Sequence, residues 1–174
     1  MSEHIRVMFS EEEVDARIAE LGAQISKDFA GEEILAVGIL RGGAFFCTEL
    51  TKRITVPVVM DFIEASSYGQ GTVSSGKVKI TKDLIEDIEG KNVIVIEDII
   101  DTGRTLSLLL EMLRSRKPKC LKLCTLLNKP ERRVVEVNVD YNGFHIPDQF
   151  VVGYGMDYAQ HYRNLPYIGI LDLE

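Results

Sequence analysis

Several features that define large protein classes are missing from this chain. No apolar run approaches the roughly 20 residues that cross a bilayer as a helix, so no membrane span is expected. The opening residues MSEHIRVMFSEEE show no basic stretch followed by an apolar one, so no secretory leader is expected. Cysteine is sparse: Cys47, Cys120 and Cys124 make an odd count without a disulfide pattern. That usage suits a reduced, cytoplasmic protein with Cys120 and Cys124 as small core residues. His4, His145 and His161 have no metal-ligand spacing and are expected at the surface or in packing roles. GxxxxGK[ST] is absent, which leaves a P-loop unsupported. Gly69 and Gly71 are followed by Gly76, which misses the GxGxxG spacing of a dinucleotide fold. A net charge of −7 argues against nucleic acid as a partner. It leaves a small anionic substrate open, because the local field matters more than the total.

What remains is ordinary for a soluble globular protein: 174 residues, 45% hydrophobic and 27% charged. With no internal repeat and no linker, residues 1–174 are expected to form one domain around a proper core. Ser10 and Glu13 make a capping box ahead of Val14, Ile18, Leu21 and Ile25, which recur at helical spacing, with Gly31 as a natural stop. Apolar runs at 34–40, 56–65, 92–96, 121–127, 134–141 and 150–154 predict strands, with a short strand at 77–81. Helices are predicted over 44–53 and 105–116, and 66–76, SSYGQGTVSSG, reads as a loop. Strands alternating with helices imply an α/β fold, a mainly parallel twisted sheet flanked by helices. The irregular tail from Phe144 is expected to build a small lobe. Ligands in such sheets bind beyond the carboxyl ends of the strands. That rule puts Arg41-Gly42-Gly43, residues 97–105 and Asn128-Lys129 on one rim.

The richest stretch is NVIVIEDIIDTGRTL, 92–106. A buried strand ends in Glu97 and Asp98; Asp101, Thr102, Gly103, Arg104 and Thr105 follow, and an apolar helix begins. Free N–H groups at a helix start, with threonine hydroxyls and a glycine that lets backbone approach closely, make an anion cradle. Carboxylates beside a phosphate would repel it unless they bind sugar hydroxyls or share a divalent cation. The pattern therefore points to a phosphorylated sugar with magnesium. Other positions carry less by themselves. Arg41-Gly42 fits a tight turn as well as a second phosphate site. Lys129 fits a surface lysine, and Phe150 and Val151 fit core or a stacking platform. Asp157 and Arg163 fit a local ion pair.

EDIIDTGRT at 97–105 resembles the phosphoribosyl-pyrophosphate signature of the type I phosphoribosyltransferases. LRGG at 40–43, SSYG at 66–69, LNKPERR at 127–133 and FVVGYGMDYAQHYRNLPYIG at 150–169 are similar to the hypoxanthine-guanine phosphoribosyltransferases among them, in the family's order. The signature is shared widely; the C-terminal segment is far more discriminating. The resemblance implies a phosphoribosyltransferase core with a hood lobe, Mg2+ as cofactor, and purine-salvage transfer from 5-phosphoribosyl 1-pyrophosphate to a 6-oxopurine, giving IMP or GMP. It implies that Glu97 and Asp98 hold the ribose hydroxyls directly or through magnesium, and that residues 101–105 hold the 5′-phosphate, with Asp101 as general base near purine N7. Lys129 then donates to the 6-oxo group, Phe150 stacks on the base and the Val151 backbone reads its edge. Asp157 coordinates a pyrophosphate-bound magnesium, and Arg163 contacts pyrophosphate. Leu40-Arg41-Gly42 becomes a pyrophosphate loop whose first peptide can be cis, while Ser67 and Tyr68 belong to a closing loop. A homodimer or homotetramer is implied as well. Two other readings stay open at this stage, a xanthine-preferring phosphoribosyltransferase and a non-catalytic ligand sensor of the same fold.

Overall fold

The computed structural model describes residues 3–67 and 77–173. The capping box forms as expected. Ser10 Oγ accepts from the Glu13 N–H at 3.2 Å, and the Ser10 N–H donates to Glu13 Oε2 at 2.8 Å. Helix α1, Glu11–Asp28, follows and buries Val14, Ile18, Leu21 and Ile25 along one stripe. It stops earlier than the glycine suggested: Phe29 is the C-cap, and Gly31 turns the chain at φ 81° beyond it.

Six strands make the main sheet: β2 (Ile34–Ile39), β3 (Val58–Ser67), β4 (Val78–Lys82), β5 (Asn92–Ile100), β6 (Cys120–Asn128) and β7 (Tyr141–His145). Their order is β4-β3-β2-β5-β6-β7; β4 alone runs antiparallel to its neighbour. Helices α2 (Gly43–Thr51) and α3 (Arg104–Ser115) are crossovers between parallel neighbours, β2 to β3 and β5 to β6. A second sheet, in the order β1-β9-β8, joins the two ends of the chain. Here β1 (Glu3–Phe9) pairs with β9 (Ile168–Leu173), which also pairs with β8 (Val151–Val152), all antiparallel. This is the hood lobe, and it is as much N-terminal as C-terminal.

The strand alternation sorts side chains into two cores. Ile94 and Ile96 face one side, with Phe46, Leu126, Val151 and Ile168, so the hood shares the core of α1 and α2. Val93 and Val95 face the other side and pack on Leu106, Leu109 and Leu113 of α3. Cys124 is wholly buried and Cys120 partly so.

Two expectations need correction, and two strands were not foreseen. The predicted strand at 134–141 is not one: only Tyr141 of that run belongs to β7, which continues to His145. The alternating valines misled, because the N–H groups of Val134 and Val135 both bond the Thr102 carbonyl instead of a neighbouring strand. Strand β5 does not end before the carboxylates; Glu97 pairs with Thr125 and Ile100 with Asn128. Strands β1 and β9 went unread, because their partners lie at opposite ends of the chain and their sequences alone do not alternate cleanly.

One buried charge ties β3 to the segment that follows β4. Asp61 is 4% exposed and accepts from the N–H groups of Phe62, Ile85 and Glu86 at 2.7–2.8 Å, with Lys82 at 3.7 Å. Burial would raise its pKa, but those N–H groups and Lys82 outweigh it and hold it below the ordinary 3.8. Asp61→Ala would leave these donors unpaired and is expected to cost about 3 kcal/mol, a drop in Tm of roughly 6–12 °C for a chain of this size. A depressed folded-state pKa contributes stability above the unfolded value that is lost as pH falls through the folded one. The gap between wild type and variant in thermal melts should therefore narrow only below pH 3.8.

Candidate active site

The carboxyl ends of β2, β5, β6 and β7 share one rim of the parallel sheet, and the chain leaves each of them through a segment singled out above. The turn after β2 contains a cis Leu40–Arg41 peptide. Gly42 then passes so close to β5 that a Cβ there would overlap the Asp98 carboxylate. Gly155, at φ 97°, presses on Gly42 in the same way from the C-terminal segment. The first turn thus packs on the Asp98 carboxylate with one side of its backbone and on the backbone of the tail with the other.

Glu97 and Asp98 lie side by side where β5 meets this rim. Glu97 accepts from the Asp98 N–H at 2.9 Å and Asp98 from the Ile99 N–H at 2.7 Å. Though partly accessible at the surface, both are densely surrounded. Burial pushes Glu97 well above the usual carboxylate range, and the adjacent Asp98 charge adds to this. Burial raises Asp98 too, against the opposing pull of its hydrogen bonds and of Arg163. Adjacent carboxyls with so little compensation suit a positive group. Among the described residues no set of three or more His, Cys, Asp or Glu converges. A cation here would therefore take most of its oxygens from water and ligand, as magnesium does at phosphate sites.

Downstream, Gly103 caps α3 in the left-handed conformation, φ 79°, with no side-chain cap bond. The helix start is left facing a pocket of about 180 Å3 lined by Glu97, Asp101, Thr102, Gly103, Arg104 and Thr105. The loop is clamped from behind. Thr102 O accepts from Val134 N at 2.9 Å and Val135 N at 3.1 Å. Arg133 Nε donates to Asp101 O at 3.2 Å, while its Nη2 donates to Asn128 Oδ1. A Cβ on Gly103 would lie 2.6 Å from Val135 O. The Asp101 carboxylate points outward and accepts from Arg132 Nε at 3.1 Å.

Lys129 begins where β6 ends. Its N–H bonds Ile100 O at 3.0 Å, and the residue is only 7% exposed, so it is not the surface lysine that its sequence context allows. Its Nζ has Asp148 at 3.8 Å. Phe150 exposes half its surface, edge-on to Tyr158 at 5.8 Å, while Val151 is buried in β8. Asp157 pairs with Arg163 at 3.1 Å, and Arg163 Nη1 donates to Gly155 O at 2.6 Å. Gln160 joins the two ends of this group: its Oε1 accepts from Arg41 at 3.2 Å and Arg163 at 3.1 Å, and its N–H donates to Asp157 at 2.8 Å.

Residues 41–42, 97–105, 129, 150–151, 157 and 163 are therefore arranged around connected segments of one rim and its overlying tail. Ser67 is the last residue of β3, and Tyr68 with the rest of the expected closing loop lies outside the described residues. The sequence reading missed Arg132, Arg133, Asp148 and Gln160. Their contacts span between strands, and only the dense charge of PERR at 130–133 hinted at them.

Comparison with known proteins agrees with this geometry. Residues 10–159 match the family model described as the phosphoribosyl transferase domain. The hypoxanthine phosphoribosyltransferase of Salmonella typhimurium is 54% identical over 171 residues, 97% of this chain and 96% of that protein. The bifunctional protein TilS/HprT of Listeria monocytogenes is 54% identical over 169 residues, 97% of this chain, which spans only 26% of that longer protein. A crystal structure of a hypoxanthine-guanine phosphoribosyltransferase from Bacillus anthracis superposes with a TM-score of 0.91 at 48% identity, covering 98% of this chain and 100% of that one. The chain belongs to the phosphoribosyltransferase family and, within it, to the hypoxanthine-guanine phosphoribosyltransferases.

Proposed function

We propose that this protein, as a single catalytic domain, transfers the phosphoribosyl group of 5-phosphoribosyl 1-pyrophosphate to hypoxanthine or guanine, giving IMP or GMP and pyrophosphate. The observation that carries the reading is the meeting, on one rim, of a helix start whose glycine cap offers no side-chain bond, a carboxylate pair, a buried lysine and an exposed aromatic ring. Each suits a different part of the two substrates. The N–H groups at 103–105 and the hydroxyls of Thr102 and Thr105 take the 5′-phosphate. Glu97 and Asp98 hold the ribose hydroxyls, directly or through Mg2+. Magnesium would sit at separate places, against Glu97 and Asp98 and against Asp157, taking its other oxygens from water and ligand, and would supply charge neutralisation for the pyrophosphate that leaves.

The base end follows from donor and acceptor chemistry. Phe150 offers a face for the purine ring, and the Val151 backbone lies beside it to read the edge. Lys129 can only donate, so it favours a 6-oxo group and leaves the 6-amino group of adenine facing another donor. As the ring nitrogen bonds to C1 of the ribose, the C1–pyrophosphate bond breaks and the purine must lose a proton. In this reading Asp101 accepts it. Arg41 and Arg163 stabilise the departing pyrophosphate, Gly42 admitting it to the backbone of its loop. The names of the relatives favour hypoxanthine and guanine over xanthine, and turnover over ligand sensing. A cytoplasmic homo-oligomer working without nucleic acid or membrane suits this role; no helix among the described residues is long and apolar enough to cross a bilayer.

The deciding experiment mixes the protein with 5-phosphoribosyl 1-pyrophosphate, magnesium and each of hypoxanthine, guanine, xanthine and adenine, and follows nucleotide formation. IMP and GMP should form, and chelating the metal should stop them. No nucleotide from either hypoxanthine or guanine would defeat the reading.

A further inference from the structure

The C-terminal segment folds back on itself between Tyr158 and His161. The Tyr158 N–H donates to His161 O at 3.1 Å and the His161 N–H to Tyr158 O at 2.9 Å, closing a two-residue turn on Ala159 and Gln160. Both of these residues lie in the left-handed region, at φ 50° and 71°. Such turns are ordinarily built on Asn-Gly, because a Cβ crowds the backbone in that conformation. A side chain kept there against its preference is a reason to ask what it touches. We propose that Gln160 is a positioning residue that holds the two pyrophosphate arginines, Arg41 and Arg163, at a fixed spacing for the leaving group.

Gln160 Oε1 accepts from Arg41 Nη1 at 3.2 Å and from Arg163 Nη2 at 3.1 Å, and the Gln160 N–H donates to Asp157 Oδ2 at 2.8 Å. The two arginines come from distant parts of the chain, one from the turn after β2 and the other from the tail. Guanidiniums meeting at one oxygen repel each other, and a neutral carbonyl offsets only part of that. Each has a carboxylate of its own: Asp157 lies 3.1 Å from Arg163, and Glu64 lies 4.0 Å from Arg41. An anion laid across both arginines would offset the repulsion directly. An amide suits the bridging position. Its oxygen has two lone pairs and no charge, so it directs both cations and leaves their charge for pyrophosphate. Backbone supports the arrangement from behind. Arg163 Nη1 donates to Gly155 O at 2.6 Å, the Gly155 N–H donates to Arg163 O at 2.9 Å, and Gly155 lies against Gly42. Gln160 is exposed, so it closes the group from the solvent side.

The bridge rests on the proposed transferase reaction and is tested in reverse, from IMP and magnesium pyrophosphate to hypoxanthine and 5-phosphoribosyl 1-pyrophosphate, with Tm measured alongside. Gln160→Gly keeps the turn, because glycine adopts positive φ freely, and removes the bridging oxygen. KM for pyrophosphate should rise about three- to tenfold, as expected for exposed bonds to charged donors, while KM for IMP stays within about twofold and Tm does not fall. Gln160→Asn tolerates the same turn but is one methylene shorter, so it should behave like Gln160→Gly. Gln160→Glu keeps an oxygen at full reach and should bring KM for pyrophosphate part of the way back, its charge competing with the ligand. An unmoved KM for pyrophosphate in Gln160→Gly would overturn the proposal. So would a lower Tm with both KM values rising together, which would make Gln160 a part of the fold alone. A wild-type protein that makes no nucleotide in the forward direction and no hypoxanthine in reverse would instead overturn the transferase reading beneath it.

Discussion

Asp101→Asn is expected to lower kcat by about 10²-fold, the lower end of what positioned proton transfer contributes, while KM for 5-phosphoribosyl 1-pyrophosphate stays within about twofold. The split follows from how the loop is held. Thr102 O is fixed by two backbone N–H groups and Asp101 O by Arg133, and none of these bonds involves the Asp101 carboxylate. An asparagine of the same shape keeps an oxygen for Arg132 and leaves the helix start and Gly103 where they are. It has no affinity for the proton that the purine sheds. Steady-state kinetics with each substrate varied in turn separates the two effects. Equal losses in kcat and in phosphoribosyl-pyrophosphate binding would assign Asp101 to the cradle instead.

Lys129→Met should lower kcat/KM for hypoxanthine by roughly 10- to 150-fold, the equivalent of one charged hydrogen bond of about 1.5–3 kcal/mol. Methionine follows the lysine stem closely, so the 7%-exposed position remains filled. Folding should tolerate the change. The Asp148 carboxylate that loses its neighbour is half exposed and keeps Arg132 within 3.8 Å. The same variant should narrow the preference for hypoxanthine over adenine, because the donor that clashed with an amino group is gone. Competing the two bases in one reaction measures that ratio directly, and an unchanged ratio would remove Lys129 from base selection.

Much of this protein could be read along the chain. The capping box of α1, the alternating pattern of β5 that feeds two cores, and the acid–threonine–glycine order from Glu97 to Thr105 are local. Neighbours in sequence are what create a helix start, a pleated strand or an anion cradle. These features by themselves determined the α/β class, the carboxyl-edge rim and a phosphate chemistry.

Tertiary structure decided the rest, because the remaining properties belong to pairs of distant residues. Val134 and Val135 carry a strand's composition, yet their N–H groups are taken by Thr102, some 30 residues upstream, and the strand is lost. Burial turns Lys129 from an ordinary lysine into a fixed donor beside Asp148. Strands β1 and β9 exist only because the two ends of the chain pair with each other. Gly42 is required by the Asp98 carboxylate that fills the space its side chain would need, a constraint set by packing across the sheet. Sequence alone determined which chemical groups the rim could present. Long-range hydrogen bonds and burial, which depend on separations that no local pattern encodes, decided which of them face one another and what each is free to do.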